Sequence, residues 1–231
     1  LPESRQVKMH GAMGVVLPVS TVNHWVHATA GKLYPLYESL GEDIRPGDYL
    51  QIDEVPWRIA DRKGKCRQGY AWQFLDVRPD SHGLFFYYLK GSRAGEIPRA
   101  QLKDFQGTIQ TDGYKVYDYF EKQDDVTLLG CMAHVRRKFV EAERACPGVA
   151  SKALGYIGLL YTQEENLRRR KASYEEVAKE RKEKGLPIMD AMEAWMMAAS
   201  TTTTPSDLLG KALDYAYKLW PRMRNYALDG R

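Results

Sequence analysis

Three consecutive β-rich segments, followed by alternating helix and strand patterns, limit the fold of this chain more than any other sequence feature. The three segments are residues 48–59, 69–77 and 84–89, and short polar turns at 62–65 and 79–83 separate them. Aromatic and β-branched side chains are frequent in these segments, as they are in strands generally. Strands joined by tight turns pair in opposite directions, so the sequence predicts an antiparallel meander.

Two further strands with connecting helices follow the meander. Residues 96–105 predict a helix, 107–112 a strand, 114–121 a second helix and 126–131 a fifth strand. A connection through a helix usually returns the chain to a parallel strand of the same sheet. The whole order is that of a ribonuclease H-like fold, an α/β (α+β) fold with a mixed five-stranded sheet and flanking helices. We assign this core to residues 46–133.

The N-terminal segment, residues 1–45, predicts helices only. Ser20 is a suitable N-cap, and apolar residues at helical spacing follow it. We expect Trp25 to pack in the core rather than to belong to a helix-turn-helix. A second helix is predicted for residues 32–40, and Gly41 should end it.

The C-terminal segment, residues 134–231, predicts a region of helices without strands. Ser173 and Glu176 form a capping-box pattern at the start of one helix. The last helix, residues 205–228, carries an apolar stripe that should pack against other helices. The chain is therefore divided into an N-terminal helical segment, the core and an all-helical insertion region.

Two aspartates are the candidate metal ligands of the core. Asp53 lies within the first predicted strand, and Asp112 ends the fourth. The first and fourth strands are neighbours in a ribonuclease H-like sheet, so the two carboxylates should lie side by side. Neighbouring carboxylates repel each other unless a cation such as Mg²⁺ or Mn²⁺ binds between them, and a pair of such ions can promote phosphodiester cleavage. Alternatively, each aspartate caps a turn.

Three motifs connect these acids with a known family. They are Gln-Ile-Asp-Glu at 51–54, Thr-Asp-Gly-Tyr at 111–114 and Gly-Cys-Met-Ala-His-Val-Arg-Arg-Lys-Phe at 130–139. The motifs resemble those of the insertion-sequence-66 transposase family, which run approximately Asp-Glu-Thr, Gln-Thr-Asp-Gly-Tyr and Gly-Cys-Trp-Ala-His-Ala-Arg-Arg-Lys-Phe. Val55 replaces the usual threonine and Met132 the usual tryptophan. Neither change removes a presumed metal ligand.

The resemblance implies a DDE-type transposase catalytic domain, which uses Mg²⁺ or Mn²⁺ to cleave DNA and transfer strands at the ends of a bacterial insertion sequence. Asp53 and Asp112 match the first two of its three catalytic acids. The third, a glutamate, is expected beyond Arg231, so this chain alone should be inactive or nearly so. The implied partners are double-stranded DNA at the terminal inverted repeats and at the target, further copies of the protein, and element-encoded accessory proteins. The implied location is the bacterial cytoplasm.

Two glutamates are rival candidates for the third acid. Glu141 and Glu143 lie on the helix predicted after the fifth strand, where other DDE enzymes carry theirs. The family pattern argues against this assignment. The alternative is that both are helix-surface charges paired with basic neighbours.

His134 and the basic residues after it complete the candidate site. His134 follows the fifth strand, where its ring could face the scissile phosphate, although a structural role at a helix start is the alternative. Cys131 and His134 make only half of a zinc site, because structural zinc normally needs four ligands. Arg136, Arg137 and Lys138 suit contacts with DNA phosphates, unless they form an ordinary solvated helix face.

Net charge, hydropathy and cysteine content restrict which classes of function remain. The net charge of +4, from 34 basic and 30 acidic residues, is compatible with nucleic-acid binding without demanding it. No apolar run approaches the roughly 20 residues that span a bilayer, so no membrane partner is expected. Three scattered cysteines do not make a disulfide framework. Two alternatives to a transposase remain, namely a nuclease or resolvase with the same fold and a catalytically dead DNA-binding remnant.

Overall fold

One mixed sheet of five strands forms the centre of this computed structural model, which describes residues 2–60, 64–78, 83–89 and 91–231. The strands are β1 (Tyr49–Ala60), β2 (Cys66–Asp76), β3 (Leu84–Tyr87), β4 (Gly107–Thr111) and β5 (Val126–Gly130).

The strand order across the sheet is β3-β2-β1-β4-β5. The first three strands pair antiparallel, and β1, β4 and β5 pair parallel. The predicted meander, the two added parallel strands and the ribonuclease H-like α+β class are thereby confirmed. Of the predicted turn residues, 62–63 and 79–82 lie outside the described part of the chain.

Helices surround the sheet in the described residues. The α-helices are α1 (Glu3–Ala12), α2 (Val19–Ile44), α3 (Glu96–Gln101), α4 (Met132–Glu143), α5 (Pro147–Arg169), α6 (Tyr174–Glu180), α7 (Leu186–Ser200) and α8 (Leu208–Arg224). Short 3₁₀ helices cover Lys115–Lys122 and Asn225–Leu228, and a π-helical turn, Arg181–Gly185, joins α6 to α7.

The N-terminal helices differ from the prediction in several respects. Helix α2 begins after Pro18 without a side-chain cap, so Ser20 is not its N-cap. It continues through Gly41, so Gly41 does not end it and the two predicted helices are one. A methyl group at Gly41 would lie 2.8 Å from the Phe85 ring, which shows that glycine there permits close packing of α2 on β3. The expected burial of Trp25 is also wrong, because its side chain is 52% exposed. Helical spacing identifies an apolar face but not whether another element covers it.

Two hydrophobic clusters stabilise the fold. The first lies between one face of the sheet and the helices beside it, and includes Ile52, Trp72 and Phe120. The second lies among α4, α5, α7 and α8, and includes Phe139 and Trp220. Full burial of one such large apolar side chain stabilises a fold by about 1.5–3 kcal/mol, so both clusters contribute substantially.

Helix α8 packs against the carboxyl ends of β4 and β5. Its residues Leu219 and Met223 are one helical turn apart and therefore lie on the same face. A methyl group at Gly113 would lie 2.1 Å from Leu219 Cδ2, and one at Gly130 would lie 2.4 Å from Met223 Sδ. The two glycines thus allow the helix to approach the strand ends that carry the candidate site.

None of the helices in the described part of the chain combines the length and apolarity that a membrane crossing requires.

Candidate metal centre at the carboxyl ends of the central strands

Strand register places Asp53 and Asp112 opposite each other. The parallel pairing of β1 with β4 matches Gln51 with Gln110, and two residues further along each strand are Asp53 and Asp112. The Gln51 side chain donates a hydrogen bond of 2.7 Å to the Gln110 side chain, which supports this register on the same face of the sheet. The predicted proximity of the two acids therefore follows from pairing of the two strands.

Asp112 also shapes the turn in which it lies. Its Oδ1 accepts a hydrogen bond of 2.8 Å from the backbone N–H of Tyr114, and Gly113 between them has a φ of +82°. Only glycine adopts that left-handed conformation at little cost. A carboxylate offers about four lone-pair sites, so capping this turn and binding a cation are compatible roles for Asp112.

His134 is the third side chain of this group. It lies in the first turn of α4, and its Nε2 is 3.9 Å from Oδ2 of Asp53. One ligand atom from each of Asp53, Asp112 and His134 lies within 4.8 Å of the other two. Among the described residues, this is the group whose spacing could hold a metal ion.

The donor set fits a divalent cation. Carboxylate oxygens suit Mg²⁺ and Mn²⁺, and imidazole nitrogen suits transition metals. Ligand bonds of about 2.1 Å require donor atoms to lie within about 4.2 Å of one another. The observed spacing of up to 4.8 Å is slightly larger, and the three side chains are neither buried nor fully exposed. Small side-chain rotations therefore suffice to bring the donor atoms within that distance.

Electrostatics around His134 favour its charged form. The neighbouring Cys131 side chain raises the pKa of His134 and outweighs the opposing effect of burial. The negative charge of Asp53 acts in the same direction. Burial opposes ionisation of Cys131, but the interaction with His134 lowers the pKa of that thiol. The negative charge of Asp53, which stabilises protonated His134, would likewise stabilise a metal cation at this position.

Glu54 supports the site from the opposite face of β1, and sequence reasoning did not single it out. Its side chain is buried and accepts hydrogen bonds from the Tyr117 hydroxyl at 2.9 Å and from Arg93 at 3.2 Å. Burial raises the pKa of Glu54, although these two hydrogen bonds oppose the shift. The Arg93 guanidinium also stacks 4.0 Å from the centre of the Tyr114 ring, so it connects β1 with the turn after Asp112.

Tyr215 is a second residue that sequence reasoning missed. Its hydroxyl donates a hydrogen bond to the backbone carbonyl of Asp112, and burial raises the pKa of Tyr215. The only available signal in the sequence was its place in the apolar stripe of the last helix. That signal indicated packing and not a contact with a strand 103 residues earlier.

The two rival glutamates lie in other interactions. Glu141 forms an ion pair of 3.5 Å with Lys138, and Glu143 accepts a hydrogen bond of 2.9 Å from Ser151. Neither belongs to the group of potential ligands found among the described residues. Glu141 lies seven residues after His134, which is about 10 Å along the axis of α4.

The basic residues after His134 lie on the outer surface of α4. Arg136 and Arg137 are exposed, and Lys138 is partly exposed beside Glu141. Arg137 lies three residues after His134 and therefore on the same side of α4, and its charge lowers the pKa of both His134 and Tyr215. This arrangement places positive charge at the rim of the acidic group.

Comparison with known proteins identifies one family. A family model described as "Transposase IS66 family" matches residues 1–231. Three proteins of Sinorhizobium fredii (strain NBRC 101917 / NGR234) are each 26% identical to the whole chain, and they are called uncharacterized proteins y4hP, y4jD and y4qI. The aligned part is 45%, 47% and 45% of their respective lengths. The chain therefore spans about half the length of these curated relatives. No solved structure matches it.

Proposed function

Because the chain belongs to the IS66 family of transposases, we propose that it forms most of the catalytic domain of a DDE-type enzyme that cleaves DNA and transfers strands at the ends of an insertion sequence. The observation that carries the proposal is the grouping of Asp53, Asp112 and His134 within 4.8 Å. Asp53 lies within β1, Asp112 directly follows β4, and His134 lies in the first turn of α4. This is the arrangement that a metal-dependent phosphodiester reaction requires.

Asp53 and Asp112 hold the metal ion in this proposal. When bound there, Mg²⁺ or Mn²⁺ would supply activation of the attacking water or 3′-hydroxyl and stabilisation of the leaving oxygen. The Asp112 turn orients one carboxylate, through the Tyr114 N–H and the Tyr215 hydroxyl. His134, at the start of α4, contacts the scissile phosphate in its charged form, which its surroundings favour, or binds the metal as the neutral imidazole after releasing its proton.

A third acid completes the centre in the whole protein. DDE enzymes use three acids, and the third ligand group within this chain is an imidazole. We propose that the remaining glutamate belongs to the part of the protein that corresponds to the other half of the longer relatives. Two acids hold a metal less tightly than three, so this chain alone is expected to have little or no cleavage activity.

Double-stranded DNA is the proposed substrate and partner. Arg136, Arg137 and Lys138 follow His134 on α4 and are exposed or partly exposed, and each phosphate contact of this kind adds salt-dependent affinity. Terminal inverted repeats and target DNA are the two substrates of such a reaction, which takes place in the cytoplasm of a bacterium. We further propose that several copies assemble on the DNA ends, together with accessory proteins of the element.

The proposal is tested with the whole protein and a duplex that carries one element end. We expect nicking in Mg²⁺ or Mn²⁺, and we expect Asp112→Asn to abolish it. Asparagine keeps the oxygen that caps the turn, so DNA binding and thermal stability should be retained. Asp104→Asn is a matched control, because Asp104 is an exposed aspartate away from the site. Cleavage that survives in Asp112→Asn would remove Asp112 from the reaction.

A further inference from the structure

The hairpin of β1 and β2 extends beyond the metal centre. After the pair of Asp53 with Gln73, seven more residue pairs follow, up to Ala60 with Cys66. At about 3.3 Å per residue this extension is about 23 Å long. The described pairing of β4 with β1 ends at Gln51, so the outer part of the hairpin has no parallel neighbour on that side among the described residues.

On the other side of the hairpin, β3 pairs with β2 as far as Trp72, and the backbone N–H of Tyr70 donates a hydrogen bond to the carbonyl of Gly91. Within the described part of the chain the hairpin is therefore two-stranded beyond Tyr70, and such a two-stranded segment is marginally stable by itself.

Trp57 lies on this extension with its side chain on the same face of β1 as Asp53. The two residues are four apart, and side chains alternate between faces along a strand. The cross-strand partner of Trp57 is Gly69, which has no side chain to cover the indole. Trp57 is 55% exposed, whereas Trp72 on the neighbouring strand is fully buried. A large aromatic side chain therefore faces solvent on the surface that leads to the metal centre.

Positive charge is concentrated on the same hairpin. Its described residues, 57–60 and 64–68, contain three basic residues (Arg58, Lys65 and Arg67) and no acidic residue. The whole chain of 231 residues has a net charge of +4. Arg58 and Lys65 are exposed. Arg58 directly follows Trp57 and therefore lies on the other face of the hairpin, while Lys65 immediately precedes β2. Exposed aromatic side chains among basic residues are the combination with which proteins bind unpaired nucleic-acid strands.

We propose that the outer β1–β2 hairpin is a DNA-binding arm, in which Trp57 stacks on an unpaired base and Arg58 and Lys65 contact phosphates. The inference rests on the proposed function, because that function places the reacting strand at Asp53 and Asp112. The Cα atoms of Asp53 and Trp57 are about 13 Å apart along the strand, which corresponds to about four nucleotides of a duplex strand. The arm thus holds DNA a few nucleotides from the scissile phosphate, where a cleaved end can fray.

The aromatic contact is tested by fluorescence anisotropy with a labelled duplex that ends in a single-stranded fork. We expect Trp57→Ala to weaken binding roughly ten-fold, as removal of one base–aromatic stack does. Trp57→Phe should restore most of the affinity. Trp25→Ala is the matched control, since Trp25 is similarly exposed at 52% but lies on α2. A fully paired duplex should show a smaller effect of Trp57→Ala, because it offers no unpaired base.

The charge contact is tested by the salt dependence of the same binding reaction. Each lost phosphate contact lowers the slope of log K against log salt by about 0.9, so the double variant Arg58→Ala/Lys65→Ala should lower it by about two. Lys8→Ala/Lys32→Ala, two exposed lysines of α1 and α2, should leave the slope unchanged. Because Arg58 and Lys65 are on the surface, this variant remains informative even where Trp57→Ala unfolds the chain.

These experiments distinguish failure of the DNA-binding arm from failure of the proposed function. The DNA-binding arm would be ruled out if both hairpin variants bound DNA with the affinity and the salt dependence of the wild type. It would also be ruled out if the wild type bound no DNA. Binding of Mn²⁺, followed by the paramagnetic resonance of the free ion, reports on the metal centre independently. Hairpin variants should bind Mn²⁺ like the wild type. Loss of Mn²⁺ binding only in Asp53→Asn and Asp112→Asn would leave the proposed function intact whatever the hairpin does.

Discussion

The hydroxyl of Tyr215 on α8 donates a hydrogen bond to the backbone carbonyl of Asp112 at the end of β4. The same helix packs Leu219 against Gly113, the next residue of that turn. A helix near the C-terminal end of the chain therefore holds the turn that carries a proposed metal ligand. Four expected outcomes follow from this arrangement and from the contacts around it.

Tyr215→Phe should weaken both the fold and the metal centre. The variant removes the hydrogen bond to Asp112 and leaves its carbonyl unsatisfied, which costs about 1–2 kcal/mol in unfolding free energy. The looser turn should lower Mn²⁺ affinity several-fold. Urea denaturation and Mn²⁺ titration measure the two effects. Tyr217→Phe is the control, because Tyr217 is 53% exposed on the same helix. Unchanged Mn²⁺ affinity in Tyr215→Phe would limit Tyr215 to a structural role.

Gly113→Ala should destabilise the chain strongly. Alanine at a φ of +82° costs roughly 1–2 kcal/mol, and its methyl group would lie 2.1 Å from Leu219 Cδ2. We expect a total loss of at least about 2 kcal/mol in urea denaturation. Gly155→Ala is the opposite case, since no atom lies within 4 Å of that methyl position on α5, and it should stabilise by about 0.5–1 kcal/mol. Equal effects of the two substitutions would contradict the close packing of α8 on the turn.

His134→Gln separates a ligand from a structural histidine. If the imidazole contributes to the metal centre, Mn²⁺ affinity should fall roughly ten-fold, which is about 1.4 kcal/mol, while the melting temperature changes little. Glutamine retains hydrogen-bonding capacity at the start of α4, so the helix should persist. A lower melting temperature with unchanged Mn²⁺ affinity would instead assign His134 to the helix start. Gln73→Ala is a useful comparison, because Gln73 lines the same cleft without being a potential ligand in the group.

Glu121→Gln should reduce stability at neutral pH but not in acid. Hydrogen bonding to Arg222 lowers the pKa of Glu121 and outweighs the opposing effect of burial. A carboxylate with a lowered folded pKa stabilises the fold above its unfolded pKa, about 4.3, and this contribution disappears as pH falls through the folded value. Because the Glu121 side chain is 54% exposed, we expect a loss of less than about 1 kcal/mol at pH 7.

Thermal unfolding at several pH values measures this difference between Glu121→Gln and the wild type. The two curves should converge below the lowered pKa. Asp124→Asn, an exposed carboxylate a few residues further along, is the control and should not show the same convergence. A constant difference across the whole pH range would mean that the ion pair with Arg222 is not the source of the stabilisation.

The strand pattern of the core could be predicted because its signals are local. Alternating or aromatic-rich segments and tight turns identify the meander from a few residues at a time, and the handedness of crossover connections limits the remaining topologies. Neighbouring positions for Asp53 and Asp112 follow from that topology alone. The roles of His134 and of the basic residues of α4 stay predictions, because a position on α4 does not test what a side chain binds.

Other features depended on contacts between distant segments. Helical spacing placed Trp25 on an apolar face, but no element covers it in the described structure. Glycine is common at helix ends, yet Gly41 lies inside α2, where its lack of a side chain allows the helix to pack closely against Phe85. Likewise, nothing near Glu54 in sequence indicates that Arg93 and Tyr117 will bind its buried carboxylate.

The sequence by itself determined the order of the strands along the chain and the neighbouring positions of Asp53 and Asp112, because short-range periodicity and chain connectivity are enough for both. Only the tertiary structure decided what surrounds those aspartates, namely the packing of α8 on the Asp112 turn and the hydrogen bonds of Arg93 and Tyr117 to Glu54, the buried neighbour of Asp53. The physical reason is that such contacts join residues about 40 to 100 positions apart. Their formation depends on how whole helices pack, which no local pattern encodes.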